Sequence, residues 1–189
     1  MNSLSLEDLD PSWLQDMPHS EVIAALVKDD PKSEFLKGYL TEELGLTLDA
    51  EGKIDNITMA LMALTAPELL DLVRVMGAVL NRDKVAKTIE REPQLAIRQE
   101  IGESAYRFTL QVGSLLGALE WETEDDFTIL GAQVFTRGLG STPEIVRDSL
   151  RLKLPKNLVG SLRDGDGDKE WNFVLRVFKE YSKWLRLQK

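Results

Sequence analysis

Three aspartates near the carboxyl end have the spacing that comes closest to a metal site. Asp164, Asp166 and Asp168 alternate with glycine, and alternating carboxylates supply the oxygen ligands that calcium prefers. A calcium loop of the EF-hand type also needs glycine at its sixth position and a bidentate acid at its twelfth, where this chain has Lys169 and Leu175. We therefore predict a turn, with Asp168 capping the helix that follows.

A run of carboxylates in the middle of the chain is the second candidate for chemistry. Paired carboxylates can perform acid–base catalysis or hold a hard cation, and the run contains Glu120, Glu122, Glu124, Asp125 and Asp126. Adjacent carboxylates before a helix are more often solvated, where they favour the amino-terminal end of the helix dipole. We expect a structural role for them.

Composition excludes most histidine and cysteine chemistry. The chain has no cysteine and one histidine, His19, so a Ser-His-Asp site would depend on this single imidazole beside Pro18. The glycines form no phosphate-binding motif, and we predict that Gly113 and Gly117 instead permit close helix packing. The sequence therefore predicts a protein that is not an enzyme and that has no cofactor and no metal site.

The net charge of −9 is concentrated in the first third of the chain. Residues 1–60 contain 13 Asp/Glu against 4 Lys/Arg, whereas residues 61–189 contain 19 of each. Nucleic acid is not an expected partner, because a duplex-binding protein clusters Lys and Arg to neutralise phosphates. The stretch 171–189 is basic, which fits either a solvated helix face or a charged binding surface.

The local signals are helical throughout, and the predicted fold is mainly α, a compact multi-helix bundle. A capping box at Thr65–Glu68 opens a strongly apolar helix, and Ser141–Glu144 repeats the signal. Asp30–Pro31 has the form of an N-cap followed by proline at the first helical position, and Thr123 with Asp126 gives a weaker version of the capping box before Phe127. Apolar spacing of period 3.6 predicts the remaining helices, over 84–91, 93–101, 103–119 and 169–187.

Two regions are predicted, forming one domain overall. Residues 1–55 make an acidic amino-terminal helical region, and residues 56–189 make the main helical body, which ends in a basic aromatic helix. The Gly/Asp segment 48–53 separates them. The amino terminus lacks the pattern of a secretory signal, and no apolar run reaches the roughly 18 residues of a membrane span, so we expect a cytoplasmic protein.

The aromatic stripe of the last predicted helix indicates a binding surface. With Trp171, Leu175, Phe178 and Leu185 turned inward, an advance of about 100° per residue turns Val177 and Trp184 away from the core. An apolar flank beside basic residues is typical of a protein interface. The predicted partner-binding residues are Trp184, Val177, Lys179, Lys183 and Arg186. The alternative is that all aromatic residues of this helix lie in the core.

Several segments resemble a known family. They are RQEIGESAYRF at 98–108, Gly131–Ala132, PEIVR at 143–147 leading into LRLKLP at 150–155, and the tryptophan-containing last helix. Together they resemble the K protein family of bacterial type III secretion sorting platforms (YscK, OrgA, MxiK). The resemblance covers roughly residues 84–187 and depends on Gly, Pro, Leu and aromatic positions.

The resemblance implies a non-enzymatic cytoplasmic adaptor that is peripheral to the inner membrane. Members of this family connect the D-type protein of the inner-membrane ring to the Q-type, C-ring-like component, and through it to the ATPase complex. Contact with the membrane would then be indirect, through a protein partner.

The sequence leaves two alternatives to an adaptor. The chain could be an α-helical small-molecule or lipid-binding domain, with its ligand between residues 57–80 and 104–119. It could also be a secretion chaperone or gatekeeper. Neighbouring genes for a secretion apparatus would favour the adaptor over a ligand-binding domain.

Overall fold

The computed structural model describes residues 6–46, 54–117, 119–121, 125–159 and 167–188. The expected boundary at 48–53, most of the aspartate turn at 163–168, and Glu122 and Glu124 lie outside these residues. The described chain contains eleven α-helices, three short 3-10 helices and no strand, which confirms the mainly α fold. The α-helices are α1 (Ser20–Asp29), α2 (Glu34–Glu43), α3 (Asn56–Met62), α4 (Ala66–Leu80), α5 (Arg82–Lys87), α6 (Arg91–Ile101), α7 (Glu103–Gln111), α8 (Phe127–Leu139), α9 (Glu144–Arg151), α10 (Lys156–Val159) and α11 (Asp168–Leu187).

The chain divides into two compact units, each made from two separate stretches of sequence. Unit 1 comprises Met1–Leu69 and Thr142–Gly160, and unit 2 comprises Leu70–Ser141 and Ser161–Lys189. This grouping differs from the expected regions 1–55 and 56–189. The difference arises because contacts between residues far apart in sequence decide which segments pack together, and local patterns do not reveal such contacts.

The core of unit 1 joins the amino-terminal helices to a segment that follows α9. One buried cluster of this core consists of Leu6, Leu9, Leu14, Ile23, Leu36, Leu40 and Leu152. Backbone and side-chain hydrogen bonds connect the same segments: the N–H of Asp10 donates to the carbonyl of Leu152 at 2.9 Å, and Nε1 of Trp13 donates to the carbonyl of Leu154 at 2.9 Å. Residues about 140 positions apart therefore form one core.

A buried lysine completes this part of unit 1. Lys153 is 5% exposed, and its Nζ donates to the carbonyls of Met62 at 2.8 Å and Leu64 at 2.6 Å. A carboxylate oxygen of Asp8 lies 3.4 Å from the same nitrogen. The ammonium group thus satisfies carbonyls at the end of α3 that have no partner within the helix, and it pairs with a charge, which buried cations require.

In unit 2, helices α4 and α8 cross so closely that their backbones touch. A Cβ atom on Gly77 would clash with the carbonyl oxygen of Phe127 in α8, and one on Gly131 would clash with a carbonyl oxygen of α4. The prediction of this role for Gly113 and Gly117 is wrong. A Cβ on Gly113 would make only ordinary contacts, and Gly117 has a φ of +79°, a left-handed conformation that favours glycine.

Two of the predicted helix starts are confirmed by their hydrogen bonds. In the capping box, Oε2 of Glu68 accepts from the backbone N–H and the hydroxyl of Thr65, both at 2.9 Å. The helix expected before Phe127 is present, but Asp126 itself caps α8, since its carboxylate accepts from the N–H of Ile129 at 2.9 Å; Thr123, the cap in the predicted box, lies outside the described residues. Helix α9 begins at Glu144, two residues after the start that a capping box on Ser141 predicts, and its cap position is Pro143, without a side-chain hydrogen bond.

Other boundaries differ from the prediction. Helix α1 continues to Asp29, so Asp30 ends that helix, and Ser33 caps α2. Asp168 is the first residue of α11 and does not cap it; the preceding Gly167 holds the cap position. The helix predicted over 103–119 ends at Gln111, where a 3-10 turn over Gly113–Leu116 follows, because glycine lowers helix propensity there.

Candidate functional site on the last helix

The buried face of α11 is not the one that the aromatic spacing predicts. The buried residues of this helix are Glu170, Phe173, Val174, Val177, Phe178 and Trp184. Trp171 and Leu175 are only half-buried, and Leu185 is exposed. The expectation that Val177 and Trp184 face away from the core is therefore wrong. Half of the 20 residues of α11 are apolar when Tyr181 is included, so periodicity alone does not tell which edge of the apolar surface is buried.

Trp184 is a core residue that holds α11 against α7. Its Nε1 donates to Oε1 of Gln111 at 2.9 Å, and its ring meets Phe108 edge-on, with ring centroids 5.8 Å apart. The ring also stacks on Tyr181 with an interplanar angle of 14°. With 8% of its surface exposed, Trp184 satisfies both its apolar ring and its polar nitrogen within unit 2.

The opposite face of α11 is cationic and exposed. Lys179, Lys183 and Arg186 follow one another at intervals of four and three residues, so they form one stripe about 10 Å long. By the same helical geometry the stripe points away from Val177 and Trp184 by more than about 100°. None of the ion pairs found among the described residues involves these three cations. We call them the cationic stripe.

Arg176 lies on the same side of α11 but has a structural role. Its guanidinium donates to the carbonyl of Leu116 at 2.7 Å and so connects α11 to the 3-10 turn after α7. On the buried side, Glu170 pairs with Arg137 of α8 at 3.2 Å. Both charges hold the helix in place, whereas the three residues of the cationic stripe are exposed to a partner.

The other candidate residues have structural surroundings. Asp125 pairs with Lys84 at 2.9 Å, and Asp126 caps α8. His19 is exposed and precedes α1 with a φ of 59°. In the part of the chain that the structure describes, no three Asp, Glu, His or Cys side chains gather as metal ligands, and no helix is long and apolar enough to cross a membrane.

A cleft of about 470 Å³ bears on the ligand-binding alternative. It lies in unit 2, and its walls comprise Val79, Leu80, Asn81, Arg82, Asp83, Lys84, Gly117, Leu119, Asp125 and Phe173. It meets the predicted apolar region 57–80 and 104–119 only at the ends of those segments, and many of its side chains are charged. A ligand in this region stays a prediction.

Sequence reasoning missed an exposed apolar surface on α1. Val22 is 59% exposed and Leu26 is 46% exposed. Both belong to the run 22–27, in which every residue is apolar. The signal was present in that unbroken run, which is wider than one buried helix face needs.

No protein-family model, curated protein or solved structure matches the chain. The candidate site is therefore defined by its own geometry. It consists of a cationic stripe on a helix whose other face is fixed in the core of unit 2.

Proposed function

We propose that this protein is a non-enzymatic adaptor of a bacterial type III secretion sorting platform. It links the D-type protein of the inner-membrane ring to the Q-type, C-ring-like component, and through it to the ATPase complex. The observation that carries the proposal is the cationic stripe of Lys179, Lys183 and Arg186. The resemblance over residues 84–187 supports the choice of assembly.

The stripe suits a protein interface for two physical reasons. Its three cations project from a helix that Trp184 and its neighbours hold in position. The backbone of the helix therefore loses little conformational entropy when a partner binds. Unpaired charges also steer a complementary acidic surface toward the correct orientation. The partner that this stripe selects is therefore one with carboxylates at matching spacing.

Charge reversal tests the proposal. The triple variant Lys179→Glu/Lys183→Glu/Arg186→Glu of the full chain is titrated against the D-type cytoplasmic domain and the Q-type protein from the same genome. We expect affinity for one of the two proteins to fall at least tenfold, because three attractive contacts become repulsive. The wild-type affinity for that protein should also weaken with added salt.

A matched variant distinguishes an effect of the cationic stripe from an effect of the net charge of the protein. Lys87→Glu/Arg91→Glu/Lys169→Glu changes the net charge by the same amount at exposed positions away from the stripe, and it should bind both proteins as the wild type does. Circular dichroism and chemical denaturation check that both variants are folded. Equal loss of affinity in the two triple variants, or binding of neither protein by the wild type, would contradict the proposal.

A further inference from the structure

Helix α1 has apolar residues on two sides. On one side, Ile23 is buried and Val27 is half-buried in the core of unit 1. On the other side, Val22 and Leu26 are 59% and 46% exposed. A helix that is apolar all round is typical of one that is covered on every side. Among the residues of unit 1 that the structure describes, those that pack on α1 cover one of these two sides.

The exposed residues form one continuous surface along α1. An advance of about 100° per residue places Val22, Ala25 and Leu26 within an arc of about 100°, whose centre lies about 130° from that of Ile23 and Val27. We call these three residues the outer face of α1. Phe35, in the first turn of α2, is 80% exposed and is a further large apolar side chain in the same part of the chain.

Four exposed acids and two exposed lysines, Lys28 and Lys32, surround the outer face, so the net charge there is negative. Glu21, Asp29, Asp30 and Glu34 are all exposed, and none of them forms an ion pair with another segment of the described chain. Asp29 and Asp30 lie at the carboxyl end of α1, where the helix dipole already places negative charge. Two carboxylates at that end are electrostatically unfavourable in the free protein. A cation supplied by a partner would relieve them.

We propose that the outer face of α1 docks a partner helix whose apolar face is flanked by Lys or Arg. The apolar residues would pack on Val22 and Leu26, and a cation would lie beside Asp29 and Asp30. This surface belongs to unit 1, whereas the cationic stripe belongs to unit 2. The inference rests on the proposed function in one respect, since it supplies the second surface that an adaptor needs.

A designed peptide tests the proposed chemistry directly. The probe is a fluorescent 18-residue peptide with leucine on one helical face and lysine on both flanks. One control peptide has the same composition in scrambled order, and another has glutamate in place of lysine. We expect the wild-type full chain to bind the probe at least tenfold more tightly than either control peptide, as measured by fluorescence anisotropy.

Variants locate the binding. Val22→Ser/Leu26→Ser and Asp29→Lys/Asp30→Lys should each weaken probe binding at least tenfold. Ile89→Ser/Leu115→Ser removes two apolar side chains of unit 2 that are at least 80% exposed, and it should bind as the wild type does. Hydrogen–deuterium exchange with the probe bound should show protection centred on residues 20–35.

Several outcomes would overturn the inference. The first is that the probe does not bind, and the second is that all variants bind it equally. The third is that the wild type is a dimer in sedimentation and that Val22→Ser/Leu26→Ser dissociates it, which would identify a second copy of the chain as the occupant. The charge-reversed cationic stripe variant is measured alongside. It should keep probe binding, so failure at α1 and failure of the proposed function give different results.

Discussion

At Trp184, an indole that sequence spacing assigned to a partner is held by three neighbours of its own unit. The contacts with Gln111, Phe108 and Tyr181 leave little of its surface for another molecule. An interface anchor loses little stability on truncation, whereas a core aromatic loses a great deal. The packing of Trp184 therefore reverses the expected effect of its substitution.

Trp184→Ala should lower the free energy of unfolding by about 3–5 kcal/mol, because a buried ring leaves a cavity. It should leave the partner affinity of the folded fraction unchanged, since the cationic stripe lies on the other side of the helix. Urea denaturation and a binding titration on the same variant measure both quantities. Leu187→Ala, at a position 75% exposed, is the control and should change stability by less than about 0.5 kcal/mol. A stability change of similar size in both variants would show that Trp184 is not in the core.

Among the helices, the crossing of α4 and α8 depends on two residues without side chains. Gly131→Ala forces a methyl group against the backbone of α4, so the two helices must separate. We expect a loss of about 3 kcal/mol or more in the free energy of unfolding, at the upper end of overpacking effects. Gly38→Ala is a matched control in α2, where an added Cβ meets nothing within 4 Å. That variant should gain about 0.5–1 kcal/mol from helix propensity. Thermal unfolding of the pair distinguishes close packing from a general effect of alanine.

The start of α3 should make stability depend on pH. The hydroxyl and the backbone N–H of Thr58, both of which donate to Asp55, hold the pKa of that carboxyl below its ordinary value. A lowered pKa means that the cap stabilises the fold above the unfolded pKa of about 3.9, and that this contribution is lost as pH falls through the folded value.

Asp55→Ala should therefore cost about 1 kcal/mol at pH 7, the usual value of an N-cap. The deficit should stay constant down to about pH 5 and shrink below about pH 4, because protonation then weakens the cap in the wild type as well. Asp55→Asn keeps an acceptor that does not titrate, so its difference from Asp55→Ala should not vary with pH. Urea denaturation between pH 3 and pH 7 gives the comparison. A deficit that grows as the solution is acidified would refute this account.

Helix starts were predictable because their signals are local. The capping box at Thr65 and the cap at Asp126 each lie within four residues of the hydrogen bonds that they make. The faces of α11 were harder to predict. Which apolar edge becomes buried is decided by α7 and α8, whose positions are not encoded in the spacing of α11 itself. The contact between Gly77 and Gly131 has the same origin, because it joins helices 54 residues apart in sequence.

For the molecule as a whole, the return of the chain into unit 1 is the feature that sequence patterns did not reveal. Leu152 belongs to a core otherwise made from residues 6–40, and no local signal links the two segments. The predicted division near residue 55 follows changes in composition and charge. The observed units instead follow contacts between residues that are far apart in sequence. Forming such contacts closes long loops, and the entropy cost of closing these loops also slows folding.

Leu152→Ala should test how much unit 1 depends on this returning segment. We expect the free energy of unfolding to fall by about 2–5 kcal/mol, and we expect the amide of Asp10, which donates to the carbonyl of Leu152, to exchange faster. Asn157→Ala alters an exposed side chain in the same segment and should leave both quantities unchanged. Hydrogen–deuterium exchange read by mass spectrometry measures the effect. Unchanged exchange at residues 9–14 in Leu152→Ala would mean that the amino-terminal helices hold their core without it.

Because Lys153 is buried, the rate at which its amine reacts with a reagent in solution reports how often unit 1 opens. Acylating reagents attack only an amine that is unprotonated and accessible, and this nitrogen is enclosed by two carbonyls and a carboxylate. Lys179 and Lys183 are exposed, so a short pulse of reagent should label them at the rate of a free side chain. Lys153 should acquire label only when unit 1 opens. The ratio of the two labelling rates, read from a single sample, then reports how often that opening occurs.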